Sequence, residues 1–179
     1  MALLFQSNPE EWDLRRFLIP GNDAAWFVTR YQALMYPGAL ALLWEAQGKQ
    51  HGPVRGLYGW GITTGEIRRD AGGRQRIPLK YVERWVLQSD REHAPDGHMA
   101  AIPAAVVLSL PAWSDHLLNK MPIGTNFLVS PEQVEELARE LVQKIFPASQ
   151  FAAAVKRELA GDSLEPGTFK FITVYQGEG

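Results

Sequence analysis

Trp26, Tyr31, Trp44, Tyr58 and Trp60 fall within one third of a 179-residue chain. Thr29, Arg30 and Glu45 lie among them, and Ser7 and Asn8 lie upstream. Aromatic faces beside hydroxyl, amide and carboxylate groups are what is needed to hold one extruded nucleobase: rings stack on its π-face and polar groups read its edge. The competing reading is that these aromatics are core, because Trp and Tyr dominate burial whatever a protein does. A second concentration is of charge. From Glu66 to Arg84 six basic residues (Arg68, Arg69, Arg74, Arg76, Lys80, Arg84) face three acidic ones, a local +3 on a chain whose total is −2. Such a stretch suits phosphate contacts or a solvated strand face.

Other chemistries find less support. Ser114, Asp115 and His116 are the letters of a hydrolytic triad, but adjacent residues cannot face one another as triad members do. The run from Gly59 to Gly65 has neither dinucleotide nor P-loop spacing and sits inside a strand pattern. The carboxylate pairs Glu10-Glu11 and Glu135-Glu136 occupy helix-start and helix-surface positions, where solvation explains them. The chain has no cysteine, which removes disulfides, thiolate nucleophiles and iron-sulfur clusters. His51, His93, His98 and His116 are scattered, so no metal and no cofactor is expected.

The elements that must position the aromatics follow from periodicity and turn chemistry. Ala2 to Gln6 reads as a strand. Asn8, Pro9 and Glu11 then read as N-cap, first helical residue and capping-box partner of a helix running to about Phe17. Strands are expected at Ala24–Val28, Leu40–Glu45 and Arg55–Thr63. In the last, Leu57 and Gly59 alternate with Tyr58 and Trp60, and three glycines suggest a bulge or a close backbone approach. The turn Asp70–Gly73 leads into a long two-faced strand, Gln75–Val86, in which Pro78 argues for an edge or a bulge. Gly48–Pro53 and Gln88–Pro103 read as loops, the second the place to expect mobility, and Ala104–Leu110 as a further apolar run. Ser130, Pro131 and Gln133 open an amphipathic helix carrying Val134, Leu137, Ala138, Leu141, Ile145 and Phe146 on one face. A helix near Ala148–Leu159 and a strand at Thr168–Tyr175 close the chain. At this length one unit is expected, and strands that follow one another without crossover helices predict a mixed α+β barrel or strongly bent sheet flanked by short helices. No run of about 18 apolar residues and no basic leader occurs, so no membrane contact is expected and the protein is expected to be cytoplasmic.

Five segments in order resemble the EVE domain, a PUA-like family related to the YTH domains. They are Leu3–Pro9 as the opening strand and its polar-proline exit, Trp26–Tyr31 as the W-x-V-x-R-Y segment, Tyr36–Glu45 as the turn and strand written G-D-x-V-x-L-W, Arg55–Gly61 as the G-I-x-G-x-G strand, and Met121–Phe127 with Ser130–Gln133 as the P-x-G-T-x-F segment and last helix. Ala39 stands where the family commonly has Asp. The series covers Leu3 to Leu141, which suggests an EVE/PUA-like domain over residues 1–146 and a C-terminal extension, 147–179, packed on the same domain.

The resemblance implies a small β-barrel with a pocket for a single base, in a family of non-enzymatic readers of modified DNA bases with some members linked to RNA. Carried over by position, the candidates for the pocket are Ser7, Asn8, Trp26, Arg30, Tyr31, Trp44 and Glu45, with Thr125, Asn126 and Phe127 as further wall residues. The basic stretch Arg68, Arg69, Arg74, Arg76, Lys80 and Arg84 would hold phosphates. The expected partner is DNA or RNA containing a modified base, modified cytosine in DNA foremost, and the C-terminal extension could carry a protein partner. Two other classes compete. One is a protein-interaction module whose aromatics are only core. The other is a small PUA-like hydrolase or nuclease of the ASCH type, whose G-x-K-x-x-E-x-R run is absent from this sequence.

Overall fold

The computed structural model describes residues 1–46, 55–91, 100–120 and 126–179. The expected loop at 48–53 and half of that at 88–103 lie outside those residues, as do Thr125, His51, His93 and His98, while the described ends of the second form a short helix, Gln88–Arg91, and a strand, Ile102–Pro103. Among the described residues nine strands form one sheet: β1 Ala2–Ser7, β2 Asp23–Phe27, β3 Leu40–Glu45, β4 Gly56–Thr63, β5 Arg68–Arg69, β6 Gln75–Val86, β7 Ile102–Pro103, β8 Asn126–Val129 and β9 Ile172–Tyr175. The main path runs β2-β6-β4-β3-β1-β8, antiparallel except for β1 beside β3. The strand β5 pairs with β6, β7 with β4, and β9 lies parallel to β6.

The two ends of that path meet. Asn126, at the start of β8, is buried and donates its Nδ2 to the Phe27 carbonyl at the end of β2 (3.0 Å). Its Oδ1 accepts the Thr29 N–H (2.7 Å). The sheet therefore curls strongly into a half-barrel whose end strands are bridged by one asparagine, and its two faces are distinct. The inner face holds Leu3, Phe5, Trp26, Ala41, Leu43, Tyr58, Ile77, Leu79 and Tyr81, with Leu14 and Leu18 plugging it. The outer face of β1, β3, β4 and the second half of β6 packs Leu4, Leu42, Trp44, Trp60, Val82 and Trp85 against helices. Burial on both faces explains why β1, β3 and β4 read as near-continuous apolar runs.

Two bulges decide which side chains look inward. In the β3–β4 ladder Leu43 pairs with Gly59 and Trp44 with Leu57, leaving Tyr58 as the extra residue. In the β4–β6 ladder Gly61 pairs with Tyr81 and Trp60 with Glu83, leaving Val82 extra. Simple alternation put Tyr58 and Trp60 together. The bulge separates them, with Tyr58 inside and Trp60 outside. A close approach accompanies it, because a Cβ on Gly59 would run into the Glu83 carbonyl. Pro78 does not mark an edge, since β6 lies between β2 and β4. It accepts the Thr64 N–H where the ladder with β4 gives out, so its missing donor falls beyond the regular pairing.

The helices depart from expectation in three places. The first spans only Leu14–Phe17 and is capped by Asp13, whose Oδ1 accepts the Arg15 N–H (3.0 Å). The Asn8 carboxamide instead closes a turn onto the Glu10 N–H (3.1 Å). Starting at Asp13 drops Leu14 and Leu18 into the barrel interior, a gain that a start at Asn8 does not offer. The apolar run from Ala104, for which no helix was expected, is helical over Ala104–Leu108, entered from Pro103 and burying Ala104 and Val107. The helix opened by the Ser130/Gln133 capping box runs Pro131–Leu137 and then continues through a π-turn, Ala138–Val142, to Ile145. The wider turn rotates the buried stripe so that Val142, not Leu141, is fully enclosed. Residues 147–179 supply the helix Phe151–Leu159, which buries Phe151, Ala154 and Val155, and strand β9. Among the described residues no helix is long and apolar enough to cross a membrane.

Candidate functional site

Three inward elements converge at the end of the barrel where β1 and β3 finish. Ser7 and Glu45 are register partners on these parallel strands, both buried, on the face of Phe5 and Leu43. Glu45 Oε1 accepts the Leu14 N–H (2.9 Å), and the bulged Tyr58 hydroxyl lies against the same carboxyl. Burial pushes this carboxyl up to about 7, and nearby Asp13 adds to the rise. The Leu14 N–H and the Arg15 guanidinium pull the other way. Burial also pushes the Tyr58 phenol up, so it remains a donor. Arg15 is locked onto Asp13 by two contacts of 2.8 and 2.9 Å, and this hydrogen-bonded pairing raises the guanidinium further. Among the described residues, Ser7 Oγ and Glu45 Oε2 are buried atoms without a well-formed hydrogen bond.

Trp26 lies on the same face. Its ring sits 5.9 Å from Phe5, and its indole N–H donates to the Tyr81 hydroxyl (3.1 Å). Trp12 reaches the same hydroxyl from outside, stacked on Phe17 at 4.3 Å and 42% exposed. The aromatic path Trp26–Tyr81–Trp12 therefore connects the interior to the surface. Sequence reasoning left Trp12 out, although it follows Ser7 by five residues in the polar segment that closes the barrel. The loop after β2 is shaped by the Asn126 clasp, and within it Tyr31 adopts φ 63°, a left-handed conformation that non-glycine residues seldom take.

The remaining candidates separate. Trp44 and Phe127 are fully buried on the outer, helix-covered face, because in each strand they alternate with the inward Glu45 and Asn126. They cannot line an inner site with Trp26, and this corrects the expectation that Trp44 is a stacking wall. Asn8 is exposed and occupied in its turn. Arg30 lies 5.7 Å above the edge-strand Phe127 ring, and Thr125 lies outside the described residues.

The basic stretch is not one row. Arg68, Arg69 and Arg74 are exposed on the β5–β6 hairpin. Arg76 pairs with Asp70 (2.8 Å) and stacks on Phe27 (3.9 Å), while Lys80 lies 3.4 Å from Asp23. The Val82 bulge turns Arg84 to the other face. There burial lowers its affinity for its proton and it feels Tyr58 and Asp13, so it is corrected out of the surface group. His116 is buried with Nε2 on the Leu128 carbonyl (2.9 Å) and Nδ1 accepting the Leu118 N–H (3.2 Å), a neutral structural imidazole, while Ser114 and Asp115 face solvent. Among the described residues no three His, Asp or Glu side chains converge as a metal site would require.

One buried acid escaped the sequence reading. Glu83, on the outer side of the β6 bulge, accepts from Trp60 Nε1 (2.8 Å), Trp85 Nε1 (3.0 Å), Ser149 Oγ (2.6 Å) and the Gln150 N–H (2.6 Å). It ties the start of the C-terminal helix to the sheet. Its partners on that side, Ser149 and Gln150, are 66 and 67 residues away, a link that no local pattern carries.

No protein-family model and no curated protein sequence matches the chain. Solved structures do. A hypothetical protein from Leishmania major superposes with a TM-score of 0.53 at 14% identity, over 78% of this chain and 92% of that one. Rpa0253 from Rhodopseudomonas palustris gives 0.51 at 19% identity, over 74% and 86%. Human THYN1, solved in complex with 5-methylcytosine containing DNA, gives 0.51 at 14% identity, over 74% and 92%. At these identities the likeness concerns the fold alone: the chain shares with these structures a mixed α+β fold built on one strongly curled sheet, as the resemblance to EVE domains led one to expect.

Proposed function

We propose that the protein is a non-catalytic nucleic-acid-binding module that reads a single modified base, with modified cytosine in DNA as its target. The observation that carries this reading is that the inner face of one curled sheet holds both Trp26, 5.9 Å from Phe5 of β1, and the buried polar pair Ser7 and Glu45 that follows at the ends of β1 and β3. It is supported by the fold shared with human THYN1, a protein solved on 5-methylcytosine DNA. Stacking on one aromatic is worth about 1 to 3 kcal/mol per base. Burial of one methyl adds roughly 0.8 kcal/mol, and a tight pocket discriminates such a group by about 1 to 3 kcal/mol, so selectivity for a methyl mark is expected in the tens-fold range. The exposed Arg68, Arg69 and Arg74 supply the phosphate contacts.

The test is titration of labelled single- and double-stranded DNA and RNA bearing unmodified, methylated or hydroxymethylated cytosine. With three phosphate contacts to duplex DNA, affinity should fall roughly 40-fold between 50 and 200 mM salt. Trp26→Ala should abolish the modification-dependent part, and Trp44→Phe, on the opposite face, should not. Absence of binding to every oligonucleotide by the folded protein would refute the reading.

A further inference from the structure

We propose that Glu45 and Ser7 read the base itself, and that Glu45 does so as a neutral carboxylic acid whose Oε2–H donates to the ring nitrogen of a cytosine-type edge. This rests on the base-reading function above and assigns its specificity to two atoms. The geometry begins with register. Ser7 and Glu45 occupy the same rung of the parallel β1–β3 pair, so their side chains leave the same face from strands about 4.8 Å apart, which is the width of one pyrimidine edge. Both residues are more than nine-tenths buried, and among the described residues Ser7 Oγ and Glu45 Oε2 have no partner of good hydrogen-bond geometry, although the Tyr58 hydroxyl bonds the same carboxyl group. Leaving such atoms unpaired costs about 1 to 3 kcal/mol each, a cost that a bound polar edge removes.

The roles of the two carboxyl oxygens are set by the chain. Leu14 donates its N–H to Oε1, which marks Oε1 as the acceptor and leaves Oε2 to bear the proton. A cytosine edge presents an amino donor, an acceptor ring nitrogen and an acceptor carbonyl in a row. Oε1 can accept from the amino group with its second lone pair, Oε2–H donates to the ring nitrogen, and Ser7 Oγ–H donates to the carbonyl. Thymine and uracil reverse the first two positions, and with Oε1 pinned by Leu14 the acid cannot reverse to follow. The charged and titratable groups facing the carboxyl are Asp13 and Arg15 from the first helix, which are paired with each other, and Tyr58 from β4. Arg84 from β6 faces the same cluster. Arg15 and Tyr58 are held toward their protonated forms, and the buried carboxyl keeps its proton up to about pH 7.

The experiment is binding of the full chain to an oligonucleotide with a single central 5-methylcytosine, and to its thymine counterpart, from pH 6 to pH 8.5. The proteins are wild type, Glu45→Gln, Glu45→Leu and Ser7→Ala. For wild type, affinity for the cytosine strand should fall about tenfold per pH unit above 7, because one proton must be taken up to bind. Glu45→Gln presents the same acceptor and donor without titrating, so it should bind within about threefold of wild type at pH 6 and lose the pH dependence. Glu45→Leu should lose preference for cytosine over thymine at every pH, and Ser7→Ala should weaken cytosine binding about tenfold. Wild-type binding that is flat with pH, a folded Glu45→Gln that no longer binds, or Glu45→Leu that discriminates as wild type does would each overturn the proposal while leaving base reading intact. If wild type binds neither oligonucleotide at any pH, base reading falls and this proposal falls with it.

Discussion

Glu45 makes the folded protein a proton acceptor in an unusual range, and its effect on stability can be worked out. An unfolded chain releases the proton of a glutamate near 4.5, whereas the buried Glu45 holds it to about 7. Between those values the folded state carries the extra proton. The resulting stabilisation is full below pH 4.5 and disappears as pH rises through 7, where the ionised carboxyl lies in the barrel with only the Leu14 N–H, Tyr58 and Arg15 to offset its lost hydration. Moving one carboxyl across this interval corresponds to about 3 kcal/mol, a large share of the stability of a domain this size. The assay is urea unfolding followed by tryptophan fluorescence at half-unit steps from pH 4.5 to 8.5, for wild type and Glu45→Gln. Taking the difference between the two curves cancels His116, whose burial acts with the opposite sign by penalising its charged form as pH falls. The difference should move by about 3 kcal/mol in favour of the variant as pH rises, with its midpoint between 5 and 7. Parallel curves would mean that Glu45 titrates as a solvated glutamate does, and that the barrel end does not hold a neutral acid near pH 7.

Further consequences follow from the same contacts. Asn126→Ala removes the clasp between β2 and β8 together with its hydrogen bonds to the Phe27 carbonyl and the Thr29 N–H. It should cost about 3 kcal/mol in urea unfolding and release the amides of residues 27–30 to hydrogen exchange. Trp44→Phe should cost under about 1.5 kcal/mol by thermal or urea unfolding, because the indole N–H it deletes has no partner, whereas Trp44→Ala should cost about 3 to 5 kcal/mol through the cavity it opens under the helices. Glu83→Ala strands two indole N–H groups and the Gln150 N–H. A loss of about 3 to 5 kcal/mol is expected, with proteolysis appearing first near residue 149 as the C-terminal helix detaches.

Much of this fold was legible along the chain because its determinants are local. The Ser130/Gln133 capping box, the run Leu40–Glu45 and the alternation through Gln75–Val86 each satisfy a backbone or burial requirement within a few residues, and each became the element expected. Reading failed where a one-residue insertion intervened. The Tyr58 and Val82 bulges and the π-turn at Ala138–Val142 shift every later side chain to a different face while leaving composition and local period almost unchanged. That is why Trp60 and Arg84 exchanged sides and why Val142 replaced Leu141.

The candidate site divides along the same line. Residue types and order alone determined that Ser7, Trp26 and Glu45 belong to segments resembling a base-reading barrel, because strand exits and aromatic strands are written locally. Only the tertiary structure decided which of them meet. Curling of the sheet and the Asn126 clasp bring β2 across from β1, strand alternation sends Trp44 and Phe127 away from their inward neighbours, and the plug formed by Leu14 buries Glu45 deeply enough to keep its proton. Facing direction and desolvation are properties of the curled sheet as a whole, not of any segment within it.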